Sequence, residues 1–165
     1  MFRLRISLDN RYPGIIAECR RVMRSLFPDN RVTVQPKRGE GCSDIGLYSK
    51  RLPCFFPHHG AGPKHERRIV LTPWQEVIVS KWPGTLLRGL IHSDGCRFTN
   101  RVRHAERTYS YPRYGFSNRS DDIRRIFTVA CDRLGVEWRV TSSCNISVAR
   151  RESVKLLDEF IGPKN

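Results

Sequence analysis

One aspartate near the middle of the chain has a position that indicates cation binding. Asp94 follows apolar residues within 86–91 whose spacing predicts the buried stripe of a short helix over 86–95. Thr85 is placed to cap the start of that helix, and Gly95 to end it in a left-handed conformation. Because the negative end of the helix dipole disfavours a carboxylate in the last turn, we expect Asp94 to need a cation beside it.

The same helix carries two small residues on one side. Gly89 and Ser93 are four positions apart, a spacing at which small side chains let the backbone of a second helix approach closely. A simpler interpretation is also open, in which 86–95 is an ordinary core helix that ends in an Asp–Gly turn. The two interpretations differ in whether another helix and a cation belong at this site.

The segment from Leu87 to Gly95 reads Leu-Arg-Gly-Leu-Ile-His-Ser-Asp-Gly and shares six of nine letters with the signature nonapeptide of the LAGLIDADG homing endonucleases, which it resembles. The resemblance implies that two such helices pack side by side. It also implies that the acid at Asp94 binds Mg²⁺, or another divalent cation, at the scissile phosphate of DNA. His92 stands where the motif has its first aspartate.

The charge of the chain favours a polyanionic partner. Of its 165 residues, 30 are Lys or Arg and 16 are Asp or Glu, which gives a formal net charge of +14. Such an excess is typical of nucleic-acid-binding proteins, and here the basic residues are spread along the chain. With no apolar run long enough for a membrane span and no recognisable signal peptide, we expect a cytoplasmic, nucleoid-associated protein without a membrane partner.

Six cysteines raise the question of disulfides or zinc. No pair has Cys-x-x-Cys spacing, so free thiols in a reducing compartment are the simpler interpretation. Cys54, His58, His59 and His65 form a loose cluster of potential ligands whose spacing matches no zinc finger. A structural zinc at that cluster is the less favoured alternative.

Apolar periodicity predicts alternating strands and helices through most of the chain. Strands are expected at 2–9, 31–37, 44–49, 96–104, 111–118, 136–141 and 145–149. Helices are expected at 13–27, 72–81, 86–95, 121–134 and 153–161. The Pro-, Gly- and His-rich segment 51–68 should be an irregular connection, and 105–110 a polar loop.

The order strand, helix, strand, strand, helix occurs twice. Aligning the helix at 13–27 with that at 121–134 predicts a first half-repeat over 1–83, which lacks the motif helix and first strand, and a second over 84–165. By resemblance the fold is α+β, a pseudo-two-fold αββαββα repeat with an antiparallel saddle sheet and helices on one face. The second motif helix is expected from an upstream segment or from the partner of a homodimer.

Polar side chains alternate with apolar ones on the predicted strands and are expected to contact double-stranded DNA. An antiparallel ribbon fits the major groove, where Arg or Lys recognises guanine and Asn or Gln recognises adenine, while other cations bind phosphate. The expected contacts are Arg3, Arg5, Ser7, Arg31, Thr33, Gln35, Lys37, Arg97, Thr99, Arg101, Arg103, Arg113, Ser117, Arg139, Thr141, Asn145 and Ser147. Acids are scarce on these faces, with Asp9, Asp44 and Glu137 as the exceptions, and this argues against plain solvation.

Three residues are expected to act in phosphodiester cleavage. Asp94 would hold the metal, while Lys50 and Arg151 follow the last strand of each half, where the family has a basic residue that could stabilise the phosphate or polarise water. For both cations a solvated surface position is the alternative. The expected function is metal-dependent cleavage of duplex DNA when both motif helices are present. A non-catalytic DNA-binding regulator on the same fold, or an RNA-binding maturase-like factor, is the alternative.

Overall fold

The computed structural model describes residues 1–60 and 62–164, apart from the side chain of Lys64, and it divides into two compact units. The first comprises Met1–His59 with a few C-terminal residues, and the second comprises Gly60–Gly162. The boundary between half-repeats at residue 83 stays a prediction. No helix in the described part of the chain is both long enough and apolar enough to cross a membrane.

The first unit is a three-stranded antiparallel sheet with helices on one face. The strands lie in the order β1-β3-β2. Its elements are β1 (Phe2–Asp9), α1 (Pro13–Leu26), β2 (Thr33–Pro36), β3 (Cys42–Ser49) and α2 (Leu52–Phe55). Proline at the first helical position starts α1, whose Met23 packs with Ile45 and Leu47 of β3 in the core. This packing leaves the other face of the sheet without a covering helix from its own unit.

The second unit is a four-stranded antiparallel sheet in the order β4-β5-β7-β6, covered on one face by helices. Its elements are a 3-10 helix (Lys64–Glu66), α3 (Pro73–Lys81), α4 (Pro83–Asp94), β4 (Gly95–His104), β5 (Arg107–Ser117), α5 (Asp121–Arg133), β6 (Arg139–Ser142), β7 (Asn145–Val148) and α6 (Arg151–Ile161). The α+β class is therefore confirmed.

The two sheets repeat one topology. The sequence β1-α1-β2-β3-α2 of the first unit corresponds to β5-α5-β6-β7-α6 of the second, and the strand orders β1-β3-β2 and β5-β7-β6 agree. Helix α4 and strand β4 have no counterpart in the described residues of the first unit. The predicted order of strand, helix, strand, strand, helix is thus found in both units, but with a different last helix in the first. That helix is α2, which lies in the segment 51–68 predicted to be irregular, whereas α3, the helix predicted at 72–81, belongs to the second unit.

Helix α4 begins two residues earlier than its predicted cap at Thr85. Pro83 occupies the first helical position, where its fixed φ suits a helix and its missing N–H costs nothing, so Thr85 lies inside the helix. Leu87 and Ile91 are fully buried against α5, α6 and the sheet. Arg88 donates a hydrogen bond to the carbonyl of Ile161 at 2.9 Å, which satisfies a free carbonyl at the end of α6.

Gly95 does not end α4 in a left-handed conformation, so that prediction was wrong. Its φ of −121° and ψ of 173° are extended, and it is the first residue of β4. A glycine is needed at this position because there is no room for a side chain. A Cβ at this position would lie 2.8 Å from the Cα of Ile91 and 2.9 Å from the carbonyl oxygen of Gly115.

The predicted loop at 105–110 is also wrong. Strand β5 begins at Arg107, and only Ala105 and Glu106 connect it to β4. Ala105 has a φ of 51°, the left-handed conformation that a tight two-residue hairpin turn uses. The residues from Arg107 to Ser110 pair with β4 in the ladder. They are exposed, so the apolar alternation that marks a half-buried strand is missing there.

Candidate nucleic-acid interface and acidic helix end

The outer face of the first sheet gathers basic and amide side chains. Residues paired across an antiparallel ladder share a face, and the ladder pairs Arg3 with Tyr48 and Arg5 with Gly46. We call this surface the basic face, defined by Arg3, Arg5, Ser7, Arg31, Thr33 and Gln35. The register agrees with the grouping predicted from alternation, since the core residues point to the opposite face.

A shallow concavity of about 230 Å³ runs along the basic face over the central strand. Gly46 forms its floor, and a Cβ there would lie 3.0 Å from the carbonyl oxygen of Leu4. Arg3, Arg31, Thr33, Gln35 and Tyr48 line it. The guanidinium of Arg3 lies 5.6 Å from the centre of the Tyr48 ring, a cation–π contact that orients the side chain.

A buried acid, Asp44, lies on the same face of the sheet, where the ladders pair it with Ser7 and Gln35. The side chain of Asp44 is 10% exposed, and its Oδ1 accepts a 2.5 Å hydrogen bond from the Ser7 hydroxyl. Its Oδ2 lies 3.7 Å from Nη1 of Arg5, which is largely exposed. Arg5 and Ser7 are therefore engaged with a carboxylate as well as facing solvent. Sequence reasoning noted Asp44 only as an exception to the basic pattern.

The other two acids predicted beside these strand faces are neutralised locally. Asp9 accepts hydrogen bonds from the guanidinium of Arg11, the shortest at 2.7 Å, and these bonds lower the pKa of the Asp9 carboxyl. Hydrogen bonding from Arg150 likewise lowers the pKa of Glu137. Lys37 forms an ion pair with Glu40, so its ammonium is partly committed within its own loop.

The residues of the second sheet that were predicted to share one DNA-contacting face lie on both of its faces, so the predicted grouping is corrected here. Arg97 is paired with Tyr114, whose buried ring points toward the helices, so alternation puts Arg97, Thr99, Arg101 and Arg103 on the helix side. The opposite, open face carries Arg113 and Ser117, together with Arg139, Asn145 and Ser147, but Ser147 is buried, contrary to its prediction as an exposed contact. Thr141 lies at a register irregularity in β6 and donates a hydrogen bond to the carbonyl of Asn145.

Arg97 takes part in a network within the protein. Its guanidinium donates two hydrogen bonds to the carboxylate of Asp158, at 2.8 and 2.9 Å, and the Tyr114 hydroxyl donates a third at 2.6 Å. These bonds, the one from Arg97 first, lower the pKa of Asp158, while burial and the neighbouring carboxylate raise the pKa of Tyr114. The network joins β4, β5 and α6 and was not predicted.

The motif acid lies at an exposed helix end and is held by an asparagine. Asn118 donates a hydrogen bond from Nδ2 to Oδ2 of Asp94 at 2.9 Å. The amide orientation is set because Oδ1 of Asn118 accepts from the backbone N–H of Ser120 at 2.9 Å. An exposed carboxylate oriented by an uncharged donor keeps its charge available for a cation. The sequence-based prediction missed Asn118.

The other predicted active-site residues do not gather around Asp94 within the second unit. Arg151 is an exposed residue at the first position of α6, with no hydrogen bond to Asp94 among the described residues. Lys50 is exposed directly after β3, in the first unit. Within residues 1–60 and 62–164, no three His, Cys, Asp or Glu side chains form a metal-binding group, the loose Cys/His cluster included, and all six cysteines are free thiols.

The helix face predicted to approach a second helix is open. A Cβ on Gly89 would meet nothing within 4 Å, and the Ser93 hydroxyl donates to the carbonyl of Leu90 at 3.0 Å. The buried side of α4 is instead the Leu87 and Ile91 side. Close packing at Gly89 and Ser93 stays a prediction, because the described part of the chain offers no helix there.

Several solved structures share this architecture at low sequence identity. A mutant of I-SmaMI aligns at a TM-score of 0.58 and 10% identity, over 96% of this chain and 73% of that chain. The meganuclease I-SmaMI bound to uncleavable DNA aligns at 0.55 and 8%, over 97% and 72%. The LAGLIDADG meganuclease I-AabMI bound to uncleaved DNA aligns at 0.53 and 7%, over 96% and 74%.

No protein-family model matches the sequence. No curated protein matches it either. With identities of 10% or less, the likeness to the solved structures is one of fold.

Proposed function

Because this chain has the fold of the LAGLIDADG meganucleases, we propose that it binds duplex DNA through the basic face. We further propose that Asp94 takes part in divalent-metal-dependent cleavage of that DNA when a second acidic helix end lies beside it. DNA binding is the broader part of the proposal, and cleavage is the narrower part. Each part has its own experiment.

The observation that carries the proposal is the composition of the basic face. Arg3 and Arg31 line a concavity that has Gly46 at its floor, so a DNA duplex would meet cations at its edge and little steric bulk at its centre. Arg3 and Arg31 suit phosphate oxygens or guanine edges, and Gln35 suits an adenine edge. The formal net charge of +14 adds long-range attraction to a polyanion.

Asp44 is an acid on an otherwise basic face, so this face has a hydrogen-bond acceptor as well as cations. A carboxylate repels phosphate, but it can accept a hydrogen bond from the exocyclic amino group of cytosine. Ser7 and Arg5 hold the Asp44 carboxylate in place on the basic face. We therefore propose that Asp44 contributes sequence preference, whereas Arg3 and Arg31 contribute affinity.

The donor chemistry at the end of α4 fits Mg²⁺. Magnesium is bound by oxygen ligands and commonly uses one or two carboxylates together with waters and substrate phosphates. Asp94 is an exposed carboxylate, and Asn118 orients it without neutralising it. A bound divalent ion supplies charge stabilisation to the attacking and leaving oxygens. In the proposed cleavage reaction Asp94 would hold the ion, while the roles of Lys50 and Arg151 at the phosphate stay predictions from the sequence.

The DNA-binding part is tested with charge-removing variants. We expect Arg3→Gln combined with Arg31→Gln to weaken duplex binding and to reduce the salt dependence of log affinity by about two units, one for each lost phosphate contact. Arg21→Gln, on exposed α1, is the matched control and should change binding little. Fluorescence anisotropy with a labelled duplex measures both quantities, and equal losses in the two proteins would contradict the proposal.

The cleavage part is tested at Asp94. In a protein that presents two acidic helix ends, Asp94→Asn should abolish cutting of a target library in Mg²⁺ while binding in Ca²⁺ stays nearly unchanged, because Asn keeps the shape and loses the charge. Robust cutting by this variant would remove Asp94 from the reaction. Metal-independent binding without cutting would favour a DNA-binding regulator, and competition by structured RNA would favour a maturase-like factor.

A further inference from the structure

The second unit has a cleft between two of its helices that the proposed DNA contacts do not use. We call it the α3–α5 cleft, defined by Val70, Val79, Arg125, Ile126, Val129 and Arg133. Its volume is about 250 Å³. Its walls are the segment before α3, one side of α3 and one side of α5.

The place of the cleft in the fold separates it from the open face of the sheet. Helix α5 buries Ile123, Phe127 and Ala130 in the core of the second unit, whereas its Ile126 and Val129 line the cleft. The cleft therefore belongs to the helix layer, on the side of the sheet opposite the open face. A duplex on the open face would leave the cleft accessible.

The walls of the cleft are joined, and the apolar surface between them faces solvent. The backbone N–H of Ile69 donates a hydrogen bond to Oδ2 of Asp122 at 2.7 Å, which ties the segment before α3 to α5. Ile69 also packs against the core. Its neighbour Val70 is nevertheless 50% exposed, and Val129 across the cleft is 39% exposed. Such apolar surface in a concave site is typical of a place where another molecule binds.

The size of the cleft suits a single large side chain. Sites for small molecules and cofactors usually have about 300–1,000 Å³ and enclose most of the ligand, and this cleft is smaller. Protein interfaces concentrate their binding energy in a few large side chains that fill pockets of the partner. The volume therefore favours an apolar anchor from a protein segment over a cofactor.

Two unpaired cations flank the apolar surface of the cleft. Arg125, Val129 and Arg133 are four residues apart and form one row on α5, with the arginines about 12 Å apart along the helix axis. Neither guanidinium has an ion-pair partner in the part of the chain that the structure describes, whereas Arg124 is paired with Asp121. Both cations are therefore available to carboxylates of a molecule that docks in the cleft.

Two acids also line the cleft, and they distinguish it from the basic face. Asp122 accepts the hydrogen bond from Ile69, and Glu76 lies on the α3 wall. Both carboxylates repel a phosphate backbone. A protein segment avoids this repulsion when its acids are directed at the α5 wall and its backbone N–H groups at Glu76.

We propose that the α3–α5 cleft is a docking site for an acidic segment of a partner protein. The segment inserts one large apolar side chain between Val79 and Val129, while its carboxylates pair with Arg125 and Arg133. The site goes beyond DNA binding and does not depend on it. The formal net charge of +14 attracts any acidic segment over long range, so the apolar anchor supplies the preference for this cleft over the rest of the surface.

The test selects the partner's sequence without assuming it. A phage-displayed library of short random peptides is panned on the full chain in excess duplex DNA, which competes with acids that bind basic surfaces non-specifically. Counter-selection on Val129→Glu removes peptides that bind elsewhere. We expect the recovered peptides to share one aromatic residue or leucine flanked by Asp or Glu.

A labelled synthetic peptide of the recovered sequence then measures affinity by fluorescence anisotropy. Val129→Glu should weaken binding by about 30-fold or more, as for the loss of a hot-spot anchor. Arg125→Gln and Arg133→Gln should each weaken it by about two- to fivefold, as for an exposed ion pair. Duplex DNA should bind at the same time as the peptide, because the two sites lie on opposite sides of the sheet.

Matched variants separate the cleft from general effects of charge and polarity. Val22→Glu, on α1, changes a valine of similar exposure, 42%, and should leave peptide affinity unchanged. Lys155→Gln, on exposed α6 surface, removes a cation from the same helix layer and should also have no effect. Melting temperatures check that each variant keeps the fold.

Reversal of charge gives a readout that a merely structural role would not move. The double variant Arg125→Glu with Arg133→Glu should lose the acidic peptide and gain affinity for a version whose acids are replaced by lysine. Affinity of this variant for neither peptide, in a protein with an unchanged melting temperature, would contradict the pairing.

Four other results would overturn the proposal. They are no enrichment above the counter-selection, recovered peptides without an apolar anchor or without acids, an equal loss in Val22→Glu or Lys155→Gln, and displacement of the peptide by duplex DNA. The last result would assign the peptide to the DNA-binding surface. Unchanged duplex binding by the Arg3 and Arg31 variants would contradict the DNA proposal alone and leave the docking site standing.

Discussion

At the scale of single residues, the Arg97–Asp158–Tyr114 network explains why one predicted DNA contact points toward the helices. Tyr114 is buried, so its hydroxyl needs a partner, and the partly buried carboxylate of Asp158 accepts from both the tyrosine and the arginine. The arginine is therefore tied to α6. A strand position that looked like an outward cation instead links three elements of the second unit.

The pKa of Asp158 gives a pH-dependent prediction. Because the folded protein lowers this pKa, Asp158 stabilises the fold at pH values above its unfolded pKa of about 3.9, and that contribution is lost as the pH falls through the lower folded value. Asp158→Asn should cost on the order of 1 kcal/mol at pH 7, and its deficit should shrink in strong acid.

Urea unfolding of both proteins between pH 7 and pH 2 measures this difference. Tyr114→Phe is a useful companion, because it removes one hydrogen bond and leaves the Arg97 ion pair intact. A deficit of Asp158→Asn that stayed constant down to pH 2 would show that the carboxylate charge contributes nothing to stability.

At the scale of elements, helix α4 and strand β4 meet at Gly95, where a larger residue would collide with its neighbours. Two glycines in this region have opposite surroundings, since a Cβ on Gly89 meets nothing and a Cβ on Gly95 meets Ile91 at 2.7 Å. The backbone of β5 is also within contact distance of Gly95. The same Gly→Ala change therefore probes an open helix surface at one site and a packed junction at the other.

We expect Gly89→Ala to stabilise the isolated chain by about 0.5–1 kcal/mol, because alanine favours a helix interior. Gly95→Ala should destabilise it by about 1–3 kcal/mol or more, because helix and strand must separate. Thermal and urea unfolding of the two variants give the comparison. If Gly89→Ala lowers the melting temperature and the loss depends on protein concentration, a second copy packs against α4 in solution.

At the scale of the whole molecule, the excess positive charge predicts strong salt dependence of duplex binding. If about six phosphates are neutralised, log affinity should fall against log salt with a slope of about −5. Titrations at several NaCl concentrations measure the slope. A flat response would mean that the +14 charge is not used for DNA.

Much of the chain's local structure could be predicted from sequence because local chemistry decides it. Three such signals each act over a few residues: apolar residues alternate at 2–9, a proline starts α1, and Thr72 and Gln75 form a capping box before α3. The motif from Leu87 to Gly95 likewise indicated a fold that the structural comparisons bear out. Asp94 at a helix end could be placed from the same pattern.

The faces of the β4–β5 hairpin could not be predicted, because alternation reports two faces without saying which one is covered. Arg97 and Arg113 look equivalent in sequence, and only the pairing of Arg97 with buried Tyr114 separates them. The sequence alone thus determined the order and type of most of the elements, the basic surface of the first sheet and the acid at the end of α4, but not α2 or the start of β5. Tertiary structure alone decided which hairpin side the helices cover, because ladder register and long-range partners such as Asp158 and Asn118 depend on residues distant in the chain.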